Sequence, residues 1–206
     1  MSQLKRKQLK TDPHRLKPYF KNNEAIINLI DKFGIIERIV YQDPFVVLVD
    51  TIVSQQITTK TKDKIMHQLE VSLGAFDAHT IAQCNVATLQ SFGIAKQKVM
   101  TIKNIAQDVV SGDLDLEGLK EVDSSMIVEQ LIAYKGIGIW TCEMMLLFAY
   151  EKEDILSYHD YGIRKGIEIL IGHHPLTKAM YQQFSDEITP YQSQISFYLW
   201  ALAQTN

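Results

Sequence analysis

The sequence predicts an all-α protein of about ten helices joined by short connections. Three observations carry that prediction. Apolar residues recur at helical spacing along nearly the whole chain, as in Ile26, Ile27, Ile30 and Phe33. Start and stop residues punctuate the runs, with Asp43-Pro44 before one and Gly74 after another. No alternating pattern with a hairpin turn is found.

Taken in order, residues 1–10 read as a solvated basic tail. The first helical run is 23–33. In "QDPFVVLVDTIVSQQI", Asp43 is the expected N-cap and Pro44 the first helical residue. Its apolar face is Phe45, Leu48, Val49, Ile52 and Val53. "FVVLV" alone would suit a buried strand, but the cap before it and the long continuation after it favour helix. "TTKTKDKIMHQLEVSLG" opens with threonine caps and ends at Gly74. Further helical runs cover 78–90, 95–110, 123–134, 138–150, 160–171, 176–188 and 190–203. No low-complexity segment or solenoid repeat is evident.

The 206 residues, 46% hydrophobic and 22% charged, suit a globular protein with a real core. No apolar run reaches the roughly 18 residues needed to span a membrane. The basic start lacks the apolar stretch of a signal peptide, so a cytoplasmic protein is expected, nucleoid-associated in a bacterium. Two cysteines, Cys84 and Cys142, cannot make a four-thiolate metal site. Cys142 reads as a small buried hydrophobe. A net charge of −3 gives no general affinity for polyanions. A local basic surface stays open, since Lys5, Arg6, Lys7, Lys10, His14, Arg15 and Lys17 cluster near the start.

The densest punctuation is "IAYKGIGIWTCEMMLLFAY", 132–150. One apolar run ends at Tyr134-Lys135, and another begins after Gly136-Ile137-Gly138. Glycine supplies positive φ and lets another backbone come close. The second helix starts there with amides that lack intrahelical partners. Free amides and a positive helix end suit an anion such as phosphate. Ile137 would anchor the turn between the helices, and Lys135 would add charge. Read alone, the motif is equally a plain corner between two helices.

Two further stretches give it context: "PFVVLVDTIVSQQIT" earlier and "LSYHDYGIRKG" later. In this order the three resemble the helix-hairpin-helix (HhH-GPD) DNA glycosylase superfamily, in particular its 3-methyladenine DNA glycosylase II (AlkA-like) branch. The resemblance covers roughly 40–203. It implies a two-lobed helical fold with a central cleft. The chain would form a single glycosylase unit over 1–206. A middle lobe over 45–150 would carry wedge and hairpin, and a second lobe would combine 11–44 with 151–206.

The resemblance also assigns roles. Backbone amides around Lys135, Gly136, Ile137 and Gly138 would bind a DNA phosphate, a contact that positions the duplex without reading bases. Family hairpins often hold a monovalent cation on backbone carbonyls; no other metal or cofactor is implied. The family's catalytic carboxylate matches Asp160. Breaking an N-glycosidic bond builds positive charge on the sugar, which a carboxylate stabilises while activating water. From its position alone, Asp160 reads as the N-cap of the next helix, a compatible role.

Trp140 stands where lyase members carry a Schiff-base lysine, which implies an enzyme without strand cleavage. Its ring would stack on an extruded base, and core packing is the plainer reading. Glu143 and Met144 would line the same pocket; Glu143 could instead pair with Arg164. Gln56, with Gln55 as helper, matches the residue that wedges into the duplex. The expected partner is double-stranded DNA with damaged bases, and the expected state a monomer without membrane attachment. The chain departs from the family at His159, where a small residue is usual, at Gln192, where arginine is common, and at Met144, where some members carry an aromatic. Two other readings stay open: a damage-binding protein without catalysis, and a bifunctional glycosylase/lyase using Lys135.

Overall fold

The computed structural model describes residues 4–205. The described residues form twelve α-helices, one short 3-10 turn and a two-stranded sheet. The all-α expectation holds, with more and shorter helices than the periodicity suggested. None of the described helices is long and apolar enough to cross a membrane. By internal packing the chain divides into two compact units. One comprises the described part of 1–7 and Val40–Tyr150; the other comprises Gln8–Ile39 and the described part of 151–206.

Strands β1 (Arg6–Lys10) and β2 (Glu37–Tyr41) pair with each other. They are antiparallel, since Gln42 N donates to Lys5 O and Thr11 N to Ile36 O. This corrects the expected tail at 1–10, of which 1–3 lie outside the described residues. The basic residues are held rather than loose. Arg6 pairs with Glu70 at 2.6 Å and lies over the Tyr41 ring, while Lys10 pairs with Glu37 at 2.7 Å. These local bonds raise the Arg6 pKa above its usual value, the Glu70 hydrogen bond contributing most.

The first unit holds seven helices: α3 (Pro44–Ser54), α4 (Thr59–Leu73), α5 (Ala78–Gln83), α6 (Val86–Ser91), α7 (Lys96–Ser111), α8 (Ser124–Ile132) and α9 (Ile139–Phe148). The run expected at 78–90 is two helices, because Cys84 turns extended and Asn85 caps a new start. Helix α3 packs on α4, α7 and α9, and α8 packs on α9. Phe45, Leu48, Val49 and Ile52 are buried, as the apolar face of α3 required. Val46, Val47 and Thr51 are buried as well, and so is the α9 run of Thr141, Cys142 and Met144–Leu147, so α3 and α9 are the two inner helices of this unit.

The second unit contains α1 (Pro13–Tyr19), α2 (Glu24–Phe33), α10 (Tyr161–Ile171), α11 (Lys178–Ile188) and α12 (Gln192–Ala203). Its core joins Leu16, Ile26, Ile30, Ile163, Ile167, Ile188, Tyr198 and Leu199. Helix α1 had no clear periodicity, since it is short and contains Pro18; Asp12 caps it and Pro13 opens it. Helices α10 and α12 approach closely because a glycine faces α12: a Cβ on Gly166 would lie 2.4 Å from Leu199 O.

Candidate active site

The first unit carries the glycine hairpin, the glutamine turn and Trp140. Between α8 and α9 the chain turns at Gly136, with φ +96°, a backbone conformation open to glycine and costly for other residues. A Cβ there would also meet Thr101 Oγ1 at 2.6 Å. Gly138 behaves differently: it is the N-cap of α9 with φ −113°, and a Cβ would point into open space. Of the two glycines, only Gly136 is needed for the turn. Ile137 is buried between them, as expected of an anchor, whereas Lys135, Gly136 and Gly138 are exposed. The N-cap of α9 is the exposed Gly138, which has no side chain to bond the first turn.

The hairpin is pinned from outside its own helices. Thr101 Oγ1 of α7 donates to Lys135 O at 2.8 Å, and Gln55 Nε2 donates to Gly136 O at 3.1 Å and lies 3.0 Å from Thr141 Oγ1. Ile137 N donates to Tyr134 O at 3.0 Å, and the Tyr134 hydroxyl reaches Asp108 at 2.7 Å. A carbonyl oxygen has two lone pairs, so a monovalent cation could still share these atoms.

Next to the hairpin, α3 ends at Ser54 and the chain turns through Gln55 and Gln56. Gln56 has φ +56°, a left-handed conformation uncommon for a residue with a side chain. Its side chain is exposed, while Gln55 is half-buried. The pair therefore divides its work: Gln55 ties the turn to the hairpin, and Gln56 is displayed.

Trp140 is the second residue of α9 and is half-buried; Glu143 is half-buried one turn on. Met144 is buried within the helix run. Cys142 is fully buried, and burial, followed by the charge of Glu143, pushes its thiol up to about 11. It stays protonated at neutral pH and offers no nucleophile.

The second unit carries Asp160. Asp160 is the N-cap of α10, and its Oδ1 accepts from Ile163 N at 2.9 Å. The cap expected from sequence is therefore present. The same oxygen accepts from Trp200 Nε1 of α12 at 2.8 Å. Trp200 in turn lies under the Arg38 guanidinium, 4.7 Å from ring centroid to Cζ. Gly162 makes room for this: a Cβ there would fall 2.7 Å from Trp200 Cδ1. His159 is exposed, and Tyr161 is 72% exposed directly after the carboxylate. Gln192, at the position of the family's arginine, is buried and donates to Thr189 Oγ1.

Sequence reading missed Trp200, Gln55 as a tie, and Thr101. The available signal was the pair Gly162 and Gly166, four apart on one helix, which marks where a neighbouring helix comes close.

Comparison with known proteins identifies the family. Residues 49–190 match the HhH-GPD superfamily base excision DNA repair protein family. DNA-3-methyladenine glycosylase 1 of Schizosaccharomyces pombe is 25% identical over 185 residues, 87% of this chain and 81% of that protein. The DNA-3-methyladenine glycosylase of Saccharomyces cerevisiae is 29% identical over an alignment of 238 residues, covering 96% and 78%. A crystal structure of DNA-3-methyladenine glycosidase from Bacillus halodurans superposes with a TM-score of 0.79 at 28% identity, covering 97% of this chain and 93% of that one. The family match spans well over half of the sequence, and the chain belongs to the HhH-GPD superfamily of base excision DNA repair proteins.

Proposed function

We propose that this protein is a monofunctional DNA glycosylase that removes alkylated purines, of the 3-methyladenine and 7-methylguanine type, from duplex DNA. The observation that carries the reading is Asp160, a carboxylate held by the Ile163 amide and the Trp200 indole on one oxygen. The names of the relatives support the same substrate class.

The chemistry follows from the charge. An N-alkylated purine is already cationic, so the C1′–N bond breaks with its electron pair leaving on the base. Positive charge then grows on the sugar. Asp160 lowers that charge's energy, and a water adds at C1′ while its proton passes to the carboxylate or to solvent. The products are the free base and an abasic site. The base must leave the stack first. Gln56 fills the gap from its exposed turn, and the hairpin amides hold a backbone phosphate. Trp140 offers a ring to the extruded, electron-poor base, with Glu143 and Met144 on the same helix. Duplex DNA is the partner, bound by a monomer.

The test is release of bases from duplexes carrying 7-methylguanine, 3-methyladenine, hypoxanthine, uracil or 8-oxoguanine. Release of the two alkylated purines with intact strands is the expected result. Binding to these duplexes without release of any base would leave a damage-binding protein instead.

A further inference from the structure

Helix α7 lies beneath both DNA-directed features of the first unit. Lys98, half-buried on α7, donates to Val53 O at 2.9 Å and to Gln55 O at 2.6 Å. These carbonyls belong to the C-terminal end of α3, where the helix dipole is negative and carbonyls lack intrahelical donors. One turn further along α7, Thr101 holds Lys135 O and occupies the space beside Gly136. Gln55 closes the circuit from the turn to Gly136 O. The residue that follows the Gln55 carbonyl held by Lys98 is Gln56, left-handed and exposed.

A left-handed glutamine is strained and persists only where its surroundings impose it. Lys98 supplies that constraint. Its charge is spent on two neutral carbonyls, and burial lowers its pKa, as expected of a lysine taken from water to serve backbone groups.

We propose that Lys98 is a positioning residue for Gln56, fixing the turn that presents the wedge at a set place relative to the phosphate-binding hairpin. The proposal rests on the reading of Gln56 as the residue that enters the duplex. It differs from the plainer view of any lysine near a DNA-binding turn, in which Lys98 would touch a phosphate. Two of its three protons are committed to protein carbonyls.

The experiment compares wild type, Lys98→Met, Gln56→Ala and the double variant. Each is titrated with an undamaged duplex over a range of salt, and with the same duplex carrying one tetrahydrofuran abasic analogue opposite 2-aminopurine. Circular dichroism checks the fold. Lys98→Met is expected to keep wild-type affinity for undamaged DNA and its salt slope. Its preference for the abasic duplex should fall about tenfold, with a matching loss of the 2-aminopurine unstacking signal. Gln56→Ala should show the same loss, and the double variant no more than either single one. A salt slope reduced by about one would identify Lys98 as a phosphate contact and overturn the proposal. Full preference in Lys98→Met would also overturn it, as would additive losses in the double variant. Should wild type and Gln56→Ala prefer the abasic duplex equally, the wedge reading itself fails, and the positioning role fails with it. Where Lys98→Met loses helical content, Lys98→Gln, which keeps one donor, takes its place and should show a smaller loss of the same kind.

Discussion

The side-chain amide of Gln55 lies 3.1 Å from the backbone carbonyl of Gly136, 81 positions along the chain. The bond joins the end of α3 to the glycine hairpin, so the two features proposed to meet DNA are one structure. The amide also reaches Thr141 Oγ1 in the first turn of α9. Gln55→Ala removes both contacts. Each neutral hydrogen bond contributes a net of about 1 kcal/mol, so a loss of roughly 1–2 kcal/mol is expected in urea unfolding. An unchanged midpoint would show that the tie carries no stability.

The two hairpin glycines should separate. Gly136→Ala places a Cβ at φ +96° and against Thr101, and it should destabilise the protein by roughly 1–3 kcal/mol. Gly138→Ala meets open space and should leave stability within about 0.5 kcal/mol. On the proposed phosphate contact it should still weaken binding to all duplexes alike, because the added methyl would stand in the way of a phosphate at the first amides of α9. Normal DNA affinity in a folded Gly138→Ala variant would argue against a phosphate at that turn.

Trp200 acts on Asp160 through one hydrogen bond. Trp200→Phe keeps an aromatic ring beneath Arg38 but donates nothing to the carboxylate. Single-turnover excision should slow about tenfold or more, the worth of a hydrogen bond to a charged group. DNA affinity should change less than about twofold, since affinity comes mainly from phosphate contacts. In an Asp160→Asn background the same substitution should have little further effect. Equal losses in both backgrounds would show that Trp200 works independently of Asp160. Gly162→Ala, which crowds the indole, should resemble Trp200→Phe.

No Schiff base should form. On the proposed reading Trp140 takes the place of the lyase lysine, and Lys135 is exposed on the hairpin. Borohydride added during turnover should trap no covalent complex, and strands should break only after alkali. A trapped adduct that disappears in Lys135→Ala would move the protein to the bifunctional class. Trp140→Ala should slow excision through weaker stacking, by about 1–3 kcal/mol if the value for single-stranded bases transfers.

Much of this architecture was legible because it is local. Asp43, Thr58 and Asp160 cap their helices, and Gly74 ends one, as side-chain chemistry over three residues dictates. The burial of Phe45, Leu48, Val49, Ile52 and Val53 on α3 followed from apolar spacing, whereas that of Val46 and Val47 on the other side did not. What was not legible depends on distant partners. Strand β1 looks like a basic tail until its partner Glu37–Tyr41 is beside it. Trp200 looks like one more apolar residue of α12 until Gly162 lets it reach Asp160. Gly136 and Gly138 look equivalent in sequence, and only the backbone angles separate the one the turn needs from the one that leaves space.

The central claim is that Asp160 drives base release. The most direct measurement is single-turnover release of 7-methylguanine from a duplex by wild type and by Asp160→Asn at saturating protein, with duplex affinity measured in parallel. Asparagine preserves size and can still accept from Ile163 N, but it removes the charge. The rate should fall on the order of 10²-fold or more, while affinity for the duplex stays within a few-fold. Release by Asp160→Asn at the wild-type rate would contradict the account.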